Sequence, residues 1–274
     1  MPLPRPRNVG EILDGSFRLT FRRFWLFATL AFIPNIALAG DFLGGAWIAG
    51  AVSGVRPDRY PAPRPDQLQA AFLVWLLVYL GFMVVTFVPL TWLYGTFLGA
   101  LQSAIGREAV GERATFSDAF RVGRQRPWSV AMIEFLQMMG IACLCIPGFI
   151  FVGHFWPALP VVVLENSPWT DSLGRSGELT RGYRWRCFGI WLLLFVLPQF
   201  ILGPLVWPFS FREFLEQRFA IAEWVGVLFT VLYAVGFLLS QIIHVFARSA
   251  QVLVYLDLRV RKEGLDLLPA AEVR

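Results

Sequence analysis

Charge is the scarcest ingredient of this chain. Only 16% of its 274 residues are Asp, Glu, Lys or Arg, against about 25% in a soluble domain. The chain lacks the polar surface that would keep a protein of this size dissolved. Lysine is nearly missing: of 24 basic residues, only Lys262 is not arginine. Cysteine and histidine are equally sparse, with three Cys and two His. Cys143 and Cys145 are two apart and cannot share a helix face, so no disulfide and no metal site are expected. HExxH, GxSxG and the P-loop do not occur, and no catalytic residue and no cofactor are assigned. These shortages exclude a secreted disulfide scaffold, a disordered chain and an ordinary cytosolic enzyme. The abundance lies elsewhere: 57% of the residues are hydrophobic and 16% aromatic, with a mean hydropathy of +0.59.

The apolar residues cluster in runs. A crossing helix needs about 20 of them, and six stretches qualify: roughly 24–45, 69–104, 129–146, 149–164, 188–207 and 221–250. The small-residue stretch from Gly44 to Val55 either extends the first helix or lies in the interface. Pro89 is placed to kink the long second run, or else its end projects beyond the bilayer. The third and fourth runs meet at Ile146-Pro147-Gly148, read as a tight turn. The fourth is short and broken by Pro157 and Pro160, which makes it a candidate half-span. The expected fold is all-α: a single integral membrane domain over residues 1–274, built as a polytopic helix bundle of about six spans.

The basic residues orient it. Nineteen fall in segments 1–23, 105–128, 165–187 and from Arg248 onward, against five in 41–68 and 208–220. Lys and Arg are retained on the cytoplasmic side. Both termini are therefore expected inside a bacterial cytoplasmic membrane, with a cytoplasmic tail over 257–274. No signal peptide is visible, and the run from Phe24 would target the chain by itself. Trp25, Trp128, Trp185 and Trp191 mark the inner surface. Trp47, Trp75, Trp156, Trp207 and Trp224 mark the outer one.

Residues 8–23 read as an interfacial amphipathic helix. Asn8 and Glu11 have capping-box spacing. Val9, Ile12, Leu13, Phe17, Phe21 and Phe24 form its apolar face. A similar element precedes the third span, capped by Thr115 or Ser117. Phe17-Arg18 stands to Trp25 as Phe120-Arg121 stands to Trp128. A third begins at Ser167-Pro168, in looser register. Three repeats of surface helix plus two spans follow from this. So do candidate headgroup contacts at Arg18, Arg22, Arg121, Arg124, Arg181 and Arg184, since arginine binds phosphate bidentately. Nucleic acid is not an expected partner, because acidic residues interleave these short basic loops.

The sixth run carries a polar stripe. Gln241, His244, Arg248, Gln251 and Tyr255 recur at helical spacing. Glu134 and Gln137 share a face of the third run. Glu134 and Arg248 sit at similar depth and are expected to pair, with Glu165 as competitor for the arginine. Glu134, Gln137, Gln241, His244, Arg248 and Gln251 then form either a polar groove open to the inner leaflet or a set of interhelical hydrogen bonds.

Three stretches carry a family resemblance: Glu11-Ile-Leu-Asp-Gly-Ser-Phe-Arg-Leu, Arg175-Ser-Gly-Glu-Leu-Thr-Arg-Gly-Tyr-Arg-Trp-Arg and Tyr255-Leu-Asp-Leu-Arg-Val-Arg-Lys-Glu-Gly-Leu-Asp. Together they resemble the prokaryotic family named for the membrane domain of glycerophosphoryl diester phosphodiesterase. The resemblance implies a six-span integral membrane protein. In some relatives a soluble phosphodiesterase barrel follows that domain; the residues up to Arg274 leave no room for it. The expected role is therefore non-catalytic: a membrane scaffold or lipid-associated partner of other membrane proteins or of a second copy. The alternative is a transporter or lipid-handling protein.

Overall fold

A computed structural model of the chain describes residues 6–53, 65–210 and 223–264. The described residues are helical, without strands. Four of the helices are long and apolar enough to cross a membrane. In order, the elements are α1 (Val9–Arg22), α2 (Phe24–Ser53), α3 (Pro65–Ala109), α4 (Phe116–Gly123), α5 (Pro127–Phe155), α6 (Ala158–Leu164), α7 (Trp169–Thr180), α8 (Arg184–Ser210) and α9 (Glu223–Glu263).

The long helices pair as α2 with α3 and α8 with α9. The stretch from Gly44 continues α2 as far as Ser53. The second run is one 45-residue helix that includes Pro89, about 68 Å at 1.5 Å per residue. The sixth run extends well past residue 250, so the first part of the expected tail is helix; residues 221–222 and 265–274 lie outside the described residues.

The third and fourth runs behave differently from two separate spans. Gln137 donates to the Phe155 carbonyl at 3.1 Å. A straight helix would hold those residues about 27 Å apart. Gly140 likewise faces the Phe151 ring. The chain therefore doubles back between Gly140 and Phe151, the interval that contains Pro147 and Gly148. The fourth run becomes the return arm of α5 together with the seven-residue α6. The fourth run is thus divided between the end of α5 and α6, with Trp156 and Pro157 between them. Trp156, expected at the outer surface, is consequently buried in the interior. Trp191, expected at the inner surface, is buried as well.

The short helices α1, α4 and α7 gather at one end, here called the basal end. Their caps follow from sequence. Asn8 and Glu11 exchange both capping-box bonds, and Thr115 accepts from the Asp118 N–H. Pro168 occupies the cap position of α7 itself, one residue before the helix begins. The buried face of α1 differs from the expected one. It is Ile12, Ser16, Leu19 and Thr20, whereas Phe17 and Phe21 are half exposed. The hydroxyls tolerate burial because they bond back along their own helix, Ser16 to the Ile12 carbonyl at 2.6 Å and Thr20 to the Ser16 carbonyl at 2.8 Å. Being small, they also let α9 approach, and Thr20 meets Ser249 at 3.3 Å.

The same positions recur. Nine residues before Trp25, Trp128 and Trp185 stand Ser16, Ala119 and Ser176; five before stand Thr20, Gly123 and Thr180. All six are buried. Each helix sets this small face against a different neighbour: α1 on α9, α4 on α3, α7 on α5 and α6. Gly123 is the tightest instance. A Cβ there would lie 2.1 Å from the Thr96 carbonyl oxygen, so only glycine fits.

The main core lies in the basal half. Phe27, Leu30, Leu101, Ile105, Leu179, Ile190, Val252 and Leu258 belong to it. Farther out, the paired helices turn large apolar side chains outward: Val85 is 74% exposed and Phe200 75% exposed. Surfaces of this kind on soluble proteins are limited to small patches, whereas a lipid environment covers them at no cost.

Candidate functional site: a polar file along the ninth helix

Most of the stripe on α9 is engaged with other parts of the bundle. At its far end Gln241 accepts from Asn35 of α2 at 2.7 Å, and Asn35 also bonds the Ala31 carbonyl. Two turns later, Arg248 forms a bidentate pair with Glu134 of α5, Nη1 to Oε1 at 2.7 Å and Nη2 to Oε2 at 2.8 Å. The expected ion pair is therefore present. Parallel N–H···O bonds to a carboxylate are the strongest arrangement a guanidinium makes, and they answer the cost of placing the charges among apolar helices. Only 12% of the arginine side chain and 14% of the glutamate are exposed. His244 lies 3.5 Å from Arg248 Nε, and Tyr94 of α3 approaches the same guanidinium.

One turn further, Gln251 is a junction. Its Oε1 accepts from Arg248 at 3.2 Å and from Gln102 of α3 at 2.7 Å, while its Nε2 donates to the Trp156 carbonyl at 2.7 Å. That carbonyl is free because Trp156 sits where α5 breaks into α6. Gln137, grouped with this cluster from its face, closes the α5 hairpin on Phe155 instead. Glu165, the expected competitor for Arg248, accepts from Tyr255 at 2.7 Å and faces Arg175 at 3.4 Å. The stripe therefore ties α9 to α2, α3, α5 and the chain after α6.

Two buried carboxylates at the basal end were not foreseen. Glu108 closes α3. It pairs with Arg22 at 3.4 Å and Arg23 at 3.2 Å and accepts the Ala114 N–H at 3.0 Å. Asp257 holds Arg186 at 3.2 Å and Arg261 at 2.9 Å and accepts the Arg7 N–H at 2.6 Å. The Arg7 carbonyl accepts from both Arg186 and Arg261. Ala114 and Arg7 each immediately precede a helix cap, Thr115 and Asn8. Thus the acid ending α3 grips the start of α4, and the acid near the end of α9 grips the start of α1.

The six surface arginines fall into two groups. Arg18 pairs with Asp14 at 3.1 Å, and Arg22 is held by Glu108. Arg121, Arg124, Arg181 and Arg184 are exposed. Cys187 is buried and free; the side chains of Cys143 and Cys145 lie outside the described residues.

No family model matches this chain, and no curated protein and no solved structure is similar to it.

Proposed function

We propose that this chain is a non-catalytic integral membrane protein, a scaffold or lipid-associated partner of other membrane proteins in the bacterial cytoplasmic membrane. The observation that carries this reading is the engagement of the α9 stripe: Gln241, Arg248, Gln251 and Tyr255 are each bonded to another part of the bundle, as in a structural fastening, and His244 meets Arg248 on its own helix. The crossings are α2, α3, α8 and α9, with α5 and α6 as a re-entrant hairpin of shorter reach. An even number of crossings keeps both termini on one side, and the arginine distribution makes that side cytoplasmic. The common register of α1, α4 and α7 supports a threefold repeat. In it, each surface helix rests on the last helices of the preceding unit, and α1 on α9 closes the ring. The family resemblance implies six spans, two more than these four crossings, and brings no activity with it.

A second reading, a transporter or lipid-handling groove, is favoured by one feature. Gln102 is fully buried, and its Oε1 has no hydrogen-bond partner among the described residues, beside the Arg248–Gln251 cluster. Mild-detergent purification followed by native mass spectrometry and proteoliposome flux separates the two. The scaffold reading expects retained lipid or a protein partner and no solute flux above empty vesicles. Solute flux abolished by Gln102→Leu would replace it with the transport reading.

A further inference from the structure

A concavity of about 450 Å³ runs along α4 and its exit, lined by Ser117, Phe120, Arg121, Arg124 and Gln125. Its size lies within the roughly 300–1,000 Å³ of small-ligand sites. Arg121 and Arg124 are three residues apart and so share a helix face. Among the described residues, no carboxylate pairs with either one. Arg22, Arg23, Arg107, Arg175, Arg186 and Arg248, by contrast, each contact a carboxylate.

The acid on the same helix, Asp118, acts on Arg121 through its charge but is bonded elsewhere. Asp118 accepts from the Thr115 hydroxyl at 2.6 Å and faces Arg107 at 3.7 Å. The groove therefore presents two guanidinium groups, one hydroxyl and one carboxamide. That is a donor-rich set suited to a phosphate. Arg124 lies 6.0 Å over the Phe120 ring, which restrains its orientation. Phe116, stacked on the lining Phe120 with ring centroids 5.8 Å apart, is 42% exposed, and Trp128, three residues past Gln125, is 47% exposed. Exposed aromatics of this kind belong at headgroup level.

We propose that this groove binds the phosphate of an anionic phospholipid headgroup. The proposal rests on the lipid-associated reading above and assigns that association to one place. The aromatic wall, Phe120 with Phe116 stacked on it, selects a lipid over a free phosphate, because a soluble anion needs no apolar wall.

The test uses the full chain in micelles doped with phosphatidylglycerol or phosphatidylcholine, read by native mass spectrometry. Wild type is expected to retain phosphatidylglycerol in preference. R121Q/R124Q is expected to bind it about tenfold more weakly, corresponding to about 1.4 kcal/mol. R121K/R124K should fall between, since lysine keeps the charge and loses the planar fork. R113Q, at an exposed arginine outside the groove, should match wild type. Both substituted groove residues are exposed, so an unchanged melting temperature is expected and is checked on each variant. Equal phosphatidylglycerol affinity in wild type and R121Q/R124Q overturns the groove and leaves lipid association standing. Displacement of the lipid by millimolar inorganic phosphate overturns the lipid assignment in favour of a soluble anion. Failure of wild type to hold any phospholipid overturns both readings.

Discussion

Cutting one side of the Glu134–Arg248 pair should be far more damaging than removing both sides together. The pair makes two charged hydrogen bonds of 2.7 and 2.8 Å, with both side chains nearly enclosed. Arg248→Met deletes both bonds and strands the glutamate; Glu134→Leu strands the arginine. Breaking a buried pair from one side costs about 3–5 kcal/mol, while an apolar replacement of both partners is often near neutral. Each single variant is thus expected to lose about 3 kcal/mol or more. The double variant Glu134→Leu/Arg248→Met should lie within about 1–2 kcal/mol of wild type, the residue being the lost Arg248–Gln251 bond. The coupling energy then reaches about 4–5 kcal/mol. That exceeds the roughly 0.6 kcal/mol average for an interhelical hydrogen bond in lipid. Reversible unfolding in mixed micelles, followed by tryptophan fluorescence, measures it. Losses in the two single variants that add within about 0.5 kcal/mol in the double variant would refute the reasoning.

Further outcomes follow from other contacts. Gly123→Leu forces side-chain atoms into the Thr96 carbonyl and the Ala100 backbone, so a loss of about 3 kcal/mol or more is expected. Gly174→Ala, mid-helix with open space around it, should gain about 0.5–1 kcal/mol, and thermal melting of both variants checks the contrast. Asp257→Asn weakens the hold on Arg186 and Arg261 and should loosen the chain start. Hydrogen exchange at Arg7 to Glu11 is expected to quicken about tenfold; an unchanged rate would show that the aspartate does not anchor this segment. The Asp118 carboxyl is held below its usual range first by the Thr115 hydroxyl, with Arg107 and Arg121 assisting. Its contribution to α4 is present above the unfolded carboxylate range and is lost as pH falls through the depressed folded value. In Thr115→Val the Asp118 midpoint, followed by NMR, should rise toward the ordinary value.

The elements legible in the sequence were those with a period or a local signature. The apolar runs predicted the long helices. The Asn8–Glu11 box and Thr115 predicted two helix starts. The 3-and-4 spacing from Gln241 to Tyr255 predicted a shared face, and matched depth paired Arg248 with Glu134. What stayed hidden depended on contacts far apart in the chain. The packed face of α1 runs through Ser16 and Thr20, whose hydroxyls are silenced by their own helix, so hydrophobicity alone pointed to the phenylalanines instead. The α5 reversal moved Gln137 away from the cluster and carried Trp156 inward. Glu108 and Asp257 gave no local pattern, because their partners Arg22, Arg23, Arg186 and the Arg7 backbone converge only in the folded bundle.

Sidedness of the two ends tests the membrane bundle most directly. Single cysteines would be introduced as Gly10→Cys, Lys262→Cys and Gly50→Cys, with Cys143, Cys145 and Cys187 replaced by serine, and probed in sealed vesicles with an impermeant reagent. Gly10→Cys and Lys262→Cys are expected to react only from the cytoplasmic face and Gly50→Cys only from the opposite one. Reaction of the first two from different faces, or of Gly50→Cys from the same face as Gly10→Cys, would contradict a bundle with an even number of crossings.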